Sequence, residues 1–293
     1  MSGGTVALVT STYRGDLERC RLLCDSIDAR VSNHSAHYLL VEERDRAVFA
    51  PLAGPRRHVI GERDLLPGWL RPVPDPLRPS KRYWLHPFGL PLRGWHAQQL
   101  RRLAFAGRMA EAAMISCDSD VVFLRAFDAS SVFEGPRLRF YRVPDGLDRV
   151  DAGMSREHRA WSRRAGRLLG LDRSETRTGY ITTLVPWRAD TVRDMLERIE
   201  AVTKRPAMSR LAASRALSEC TIYGRFVDEA EGRPDRHAPT ARPLAHVRWA
   251  GEALGERDIA ALLAGMGADE VAVCIQSFIG TDTALIRRAA GLG

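Results

Sequence analysis

An apolar run, "TVALVTST" at residues 5–12, opens the patterned part of the chain. An unbroken run this short predicts a strand covered on both faces in a parallel sheet. It ends in the small polar residues Thr10, Ser11 and Thr12, after which Asp16 stands where it can cap a helix. That helix has an inner face of Leu17, Cys20, Cys24, Ile27 and Val31. "HYLLVEE" at 37–43 predicts a second strand and "RHVI" at 57–60 a third. Strand, helix, strand with short connections means a right-handed βαβ unit and an α/β fold. Ligands in such sheets gather at the carboxyl ends of the strands, which makes residues 10–13 a candidate site.

The pattern then breaks. Residues 65–94 are dense in proline and aromatics, too proline-broken for a helix or a central strand, and predict a lid or binding loop. Trp69, Tyr83, Trp84 and Phe88 within it are expected to pack. Helical periodicity returns over 94–113, with Leu100, Leu103 and Ala104 inward and Gln98, Arg101 and Arg102 on the other faces. Further strands are predicted at 137–143, 179–187 and the "EVAVC" of 270–274. Helices are predicted at 189–202, 208–217 and 256–266. The expected architecture is one mixed α/β domain. Residues 1–127 form a first half, and 128–293 an elaborated second half.

The helix at 94–113 runs straight into "MISCDSDVVFLR" (114–125), where Asp118 and Asp120 stand at the end of an apolar strand. Ionised carboxylates beside a core need a partner. A divalent cation, an arginine such as Arg102 or Arg125, and solvent are the alternatives that these residues leave open. Carboxylates two apart at a strand end can converge on one ion, and Mg²⁺ or Mn²⁺ prefers such hard oxygens while keeping positions open for phosphate.

Composition narrows the partners. The net charge of +8 is carried almost wholly by arginine, since Lys81 and Lys204 are the only lysines. Guanidinium suits phosphate and carboxylate. The arginines are spread along the chain instead of massed in a stripe, which argues against nucleic acid. Cys20, Cys24, Cys117, Cys220 and Cys274 sit among apolar neighbours without zinc or redox spacing, as buried thiols in a reducing compartment would. No basic stretch precedes an apolar one at the start and no apolar run is long enough to span a bilayer, so a cytoplasmic protein is expected. The basic segment at 155–170 predicts a helix with Trp161, Leu168 and Leu169 to one side, either a mobile lid, a contact for an anionic membrane face, or a solvated basic helix.

In this order, "TSTYRGDLERCRLLCDSI", "GWHAQQLRRLA" and "CDSDVVFLR" resemble a bacterial set of GT-A-fold, Asp-x-Asp glycosyltransferases found among polysaccharide and glycolipid genes. The resemblance covers residues 6–127 well, and "TGYITTLVPW" and "SECTIYGRFV" more loosely. It implies a GT-A-like (Rossmann-like) mixed sheet flanked by helices. The activity implied is transfer of a sugar from a nucleotide diphosphate, most commonly uridine diphosphate in that group, to a hydroxyl of a saccharide or lipid-linked acceptor. It further implies that Thr10, Ser11 and Thr12 border the nucleotide, and that Gln98, Gln99 and Arg102 face the diphosphate or sugar. Asp118 and Asp120 would hold Mn²⁺ or Mg²⁺ against the diphosphate. "HVRWAG" is similar to a C-terminal motif whose His is a third metal ligand, which implies His246, although the Lys-Pro-Trp that usually follows is missing.

An inverting transferase needs a base for the acceptor hydroxyl. Glu219, a lone acid at a predicted helix start, is the first candidate and Asp151 the second; a capping acid is the structural alternative for Glu219. Two other functions compete. Haloacid-dehalogenase-type phosphatases also place Asp-x-Asp after an apolar strand, with Asp118 then the nucleophile. They want Gly-Thr after the second Asp, where this chain has Val121 and Val122. A non-catalytic scaffold with a glycosyltransferase-like fold is the other. A nucleotidyltransferase is disfavoured because "STYRGD" offers neither a glycine-rich loop nor a lysine.

Overall fold

The computed structural model describes residues 4–78 and 81–292. Its centre is a five-stranded sheet in the order Val185–Arg188, Ala113–Ser116, Val6–Ser11, His37–Val41, Arg57–Gly61. The last four strands are mutually parallel, and Val185–Arg188 runs antiparallel to Ala113–Ser116 at one edge. Alternation along Val6–Ser11 divides the core. Val6 and Leu8 pack with Leu23 and Ile27 of the helix Leu17–Arg30, whereas Ala7 and Val9 pack with Leu100 and Leu103 of the helix Gly94–Ala106. Helices therefore cover both faces, which is why the strand reads as an unbroken apolar run. The chain is α/β, with mixed sheets flanked by helices.

Four smaller sheets accompany this core among the described residues, one of them the two-stranded pair of Val31–Ser32 and Phe127–Asp128. Val121–Phe123 leaves the main sheet to pair antiparallel with Ala272–Ile275, which pairs in parallel with Ala245–Arg248. Arg137–Tyr141 lies between Phe133–Glu134 and His237–Thr240. The proline-rich region contains a meander of Arg71–Pro74, Arg82–Leu85 and Leu92–Arg93. This corrects the expectation of a structureless loop. Pro72 and Pro74 sit on the edge strand, where a missing N–H interrupts no central ladder. Trp84 is fully buried and its indole N–H donates to Glu62 at 3.0 Å, while Phe88 packs edge-on against Trp69 and stays partly exposed.

Several boundaries differ from expectation for local reasons. The helix predicted to reach residue 113 stops at Ala106 because Gly107 follows. The strand predicted at 179–187 is confined to Val185–Arg188. Ahead of it, Gly179 packs against Gly146, and Tyr180 turns to lie on Gly224 and hydrogen-bond Asp228 at 2.7 Å. Arg101 and Arg102, expected on solvated faces, are buried. Arg101 donates to the carbonyls of Thr12 (3.3 Å) and Leu40 (3.2 Å), tying off the ends of two parallel strands.

Arginine is used the same way elsewhere. Buried Arg225, from the helix Glu219–Glu229, donates to the carbonyls of Ser162, Arg173 and Ser174 and pairs with Glu229 at 2.6 Å. The basic segment forms the helix Ala152–Leu169, with Trp161, Leu168 and Leu169 inward as expected. Its Arg159 and Arg163 pair with Glu175 and its Arg164 donates to the Arg210 carbonyl. Much of that helix's charge is thereby tied to the protein itself.

Candidate functional site

A cavity of about 1500 Å³ opens at the carboxyl ends of the central strands. Ser11 and Tyr13 contribute from the end of Val6–Ser11, and Gln98, Arg101 and Arg102 from one side of the helix Gly94–Ala106. The Asp-x-Asp turn contributes Asp118, Ser119 and Asp120. That turn lies where the chain leaves Ala113–Ser116 for the second sheet, closed by the Val121 N–H donating to the Asp118 carbonyl at 3.2 Å. A change of sheet frees the carboxylates from both ladders, so that they face the cavity.

Three acids share its floor. Asp120 is buried, and its carboxylate accepts from the Ser277 N–H at 3.0 Å and the Cys274 thiol at 3.3 Å. Burial, and then the charge of Asp118, push the Asp120 carboxyl up to about 6. Asp118 is more open and pairs with Arg102 at 3.2 Å. Asp16 accepts from the Ser119 hydroxyl at 3.3 Å, and burial raises its carboxyl, with Asp118 adding to the effect. Asp16 makes no cap hydrogen bond to the helix that follows, a correction of the capping expectation: its carboxylate serves the cavity instead. Among the described residues, no three His, Cys, Asp or Glu side chains meet as a ready-made metal cage.

Arg102 links this floor to Glu219. Its guanidinium lies 2.9 Å from the Glu219 carboxylate as well as 3.2 Å from Asp118. Burial opposes the Arg102 charge, but Glu219 and Asp118 more than offset that and hold the group above its ordinary value. Glu219 is buried at the start of its helix and burial raises its carboxyl, against the pull of Arg102. The helix cap is Ser218, which accepts from the Thr221 N–H at 3.3 Å, so capping does not account for Glu219. Gln99 is buried and its side-chain oxygen accepts from the Glu219 N–H at 3.0 Å. Its amide nitrogen has no partner among the described residues, and neither has the buried Ser11 hydroxyl.

The structure thus brings Ser11, Gln98, Arg102, Asp118, Asp120 and Glu219 to one cavity. Other candidates lie elsewhere. Thr10 is buried behind it, its hydroxyl 3.0 Å from His37 and 3.2 Å from Cys117. Thr12 is buried and does not line it. Asp151 caps the helix Ala152–Leu169 by accepting from the Gly153 and Met154 N–H groups at 2.9 and 3.0 Å. His246 stands in the strand Ala245–Arg248 with its Nδ1 3.0 Å from Glu270, away from the cavity lining. Trp249, just past the strand Ala245–Arg248, and Gln276 and Ser277, just past Ala272–Ile275, reach the cavity, whereas His246 does not. Cys117 is pushed up to about 12 by burial, and Cys220 and Cys274 also rise by burial, which leaves them as protonated packing groups.

The sequence matches, over residues 5–289, a family described as a family of unknown function (DUF6492). The chain belongs to that family. No curated protein matches it. Among solved structures it is similar to the crystal structure of the apo-form glycosyltransferase GlyE of Streptococcus pneumoniae TIGR4. That similarity has 10% sequence identity and a TM-score of 0.40, over 80% of this chain and 45% of that one. The chain therefore spans less than half the length of that glycosyltransferase.

Proposed function

We propose that this protein is a metal-dependent glycosyltransferase of GT-A type. It would move a sugar from a nucleotide-diphosphate donor, with uridine as the first base to test, to a hydroxyl of a saccharide or lipid-linked acceptor in the cytoplasm. The observation that carries the reading is the Asp118–Asp120 turn on the floor of a large cavity at the carboxyl ends of parallel strands. The donor set fits Mn²⁺ or Mg²⁺. Burial first, and then neighbouring carboxylate charge, raise the Asp120 and Asp16 carboxyls, a cost to their charged forms that a bound cation would relieve. An ion held by Asp118 and Asp120 would keep positions for water and phosphate oxygens, the habit of a substrate-bridging metal.

When bound, a divalent cation supplies positive charge to a diphosphate leaving group. The chain's own residues do the rest. Arg102 bridges Asp118 and Glu219, offsetting part of their combined charge and holding both in place. The unpartnered Ser11 hydroxyl and Gln99 amide nitrogen offer hydrogen-bonding capacity in and behind the floor. Glu219, whose carboxyl burial raises above its ordinary value, is the candidate base for an acceptor hydroxyl.

The phosphatase alternative calls for a downstream lysine at the aspartates. Lys204, at the C-terminal end of the helix Ala189–Thr203, does not line the cavity. Calorimetric titration of UDP, GDP, CDP and ADP, with and without Mn²⁺, tests the reading on the wild type and Asp120→Ala. Metal-dependent binding of one nucleotide, lost in the variant, is expected. Absence of binding under every condition refutes the transferase and leaves the phosphatase or a scaffold.

A further inference from the structure

The cavity's acids lie inside it with Arg82, Arg101 and Arg102, whereas its exposed rim carries bases. The acids that line it, Asp16, Glu42, Asp75, Asp118, Asp120 and Glu219, are all buried or partly buried. No exposed acid lines it among the described residues. The exposed basic residues at the mouth are Arg78, Lys81, Arg93 and Arg149. None of these four has a carboxylate within ion-pair distance among the described residues, in contrast to the many paired arginines elsewhere on the surface. Interleaved with them are large apolar side chains left in water: Leu77 at 90% exposure, Phe278 at 74%, and Trp95, Met154 and Trp249 at more than 40% each.

Leu77 is held outward by construction. The Asp75 carboxylate accepts from the Leu77 N–H at 2.9 Å, and Asp75 N–H donates to the Lys81 carbonyl at 3.0 Å. Leu77 and its neighbour Arg78 are both exposed here. Trp95 is steadied by Trp161, with ring centroids 5.4 Å apart, which in turn stacks on His158.

Apolar side chains that enter an acyl boundary, tryptophans suited to the headgroup level and unpaired cations around them match one surface, an anionic lipid bilayer. We infer that the cavity mouth is a docking face for an anionic membrane, seated through Leu77, Trp95, Met154, Trp249 and Phe278 and through the cations Arg78, Lys81, Arg93 and Arg149. This goes beyond the proposed reaction and stands whether or not sugar transfer occurs at the floor. The helix Ala152–Leu169 takes part only through Met154 in its first turn, while its Arg159 and Arg163 are tied to Glu175. A membrane seated there would leave the cavity facing the lipid, so that an acceptor carried on a lipid meets the floor without leaving the bilayer.

The full chain would be sedimented with vesicles of phosphatidylcholine alone and with phosphatidylglycerol added, as wild type, Arg78→Glu/Lys81→Glu and Leu77→Asp/Phe278→Asp. All four substituted positions are exposed, and circular dichroism checks the fold of each variant. Binding to the anionic vesicles, weakened about tenfold or more in each double variant, is expected. Quenching of tryptophan fluorescence by lipids brominated along the acyl chain, reduced in Trp95→Phe/Trp249→Phe, is expected alongside it. Three results overturn the inference: no binding to anionic vesicles, binding that the lip variants leave unchanged, or capture of soluble glycerophosphate without vesicle binding. A concentration-dependent dimer abolished by Leu77→Asp/Phe278→Asp, with no vesicle binding, would assign the face to a second copy instead.

Discussion

Asp120→Asn should stabilise the metal-free protein at neutral pH. The wild-type carboxyl is pushed from its ordinary 3.8 to about 6 by burial and by Asp118, which corresponds to roughly 3 kcal/mol against its charged form. A carboxyl raised in the folded state makes the native protein the better proton binder between those values. Stability is therefore full below about pH 4, declines as pH climbs through about 6, and stays reduced above. Asparagine is uncharged, and its side-chain oxygen can still accept from the Ser277 N–H that Asp120 now engages at 3.0 Å. Burial is the larger cause and a buried asparagine keeps part of that cost, so the substitution should recover about 1–2 kcal/mol, or about 2–3 °C in Tm for a chain this long. Thermal unfolding with a chelator at about pH 8 and about pH 4 reads the effect, the two proteins converging at the lower value. Added Mn²⁺ should then raise the wild type more than the variant. A variant less stable than wild type at about pH 8 without metal would mean that its hydrogen bonds outweigh the charge repulsion, and the argument for a cation-seeking floor would fail.

Arg102→Ala should cost about 3–5 kcal/mol, because it strands the buried Glu219 and frees Asp118. Urea unfolding of Arg102→Ala, Glu219→Gln and the double variant would show the double costing clearly less than the sum. Gly224→Ala should destabilise by about 1–3 kcal/mol: its Cβ would lie 2.3 Å from the Tyr180 ring, which the hydrogen bond to Asp228 restrains. The control Gly68→Ala meets nothing within 4 Å and should be close to neutral in the same denaturant series.

The βαβ start was legible because each of its elements declares itself locally. Residues 6–9 are apolar without interruption, and both faces of that strand are indeed covered. The proline-rich meander was not legible, since proline argues against a central strand but is silent about an edge. The buried arginines were hidden for a related reason. Periodicity scores Arg101 as a solvent residue, yet its five donors let it reach the strand-end carbonyls of Thr12 and Leu40, the latter shared with the Thr12 N–H. Only the three-dimensional position of the Thr12 and Leu40 carbonyls shows that need.

The same limit shaped the candidate site. Asp118, Asp120 and Glu219 stood out as acids against apolar neighbours, and the cavity collects all three. Asp16 shares the floor, but in the sequence it is indistinguishable from a helix cap, the commonest use of an aspartate just ahead of an amphipathic run. Ser277 and Cys274 hold the Asp120 carboxylate from more than 150 positions away, through a strand that pairs with Val121–Phe123. His246 illustrates the converse: the resemblance of "HVRWAG" to a metal-binding motif singles it out, but its imidazole pairs with Glu270. Local pattern finds a charge that is out of place, whereas sheet pairing decides which charges meet. The acidic floor is assembled by the crossing from the main sheet to the second one, and so a substitution that loosened the pairing of Val121–Phe123 with Ala272–Ile275 would disperse it without touching any acid.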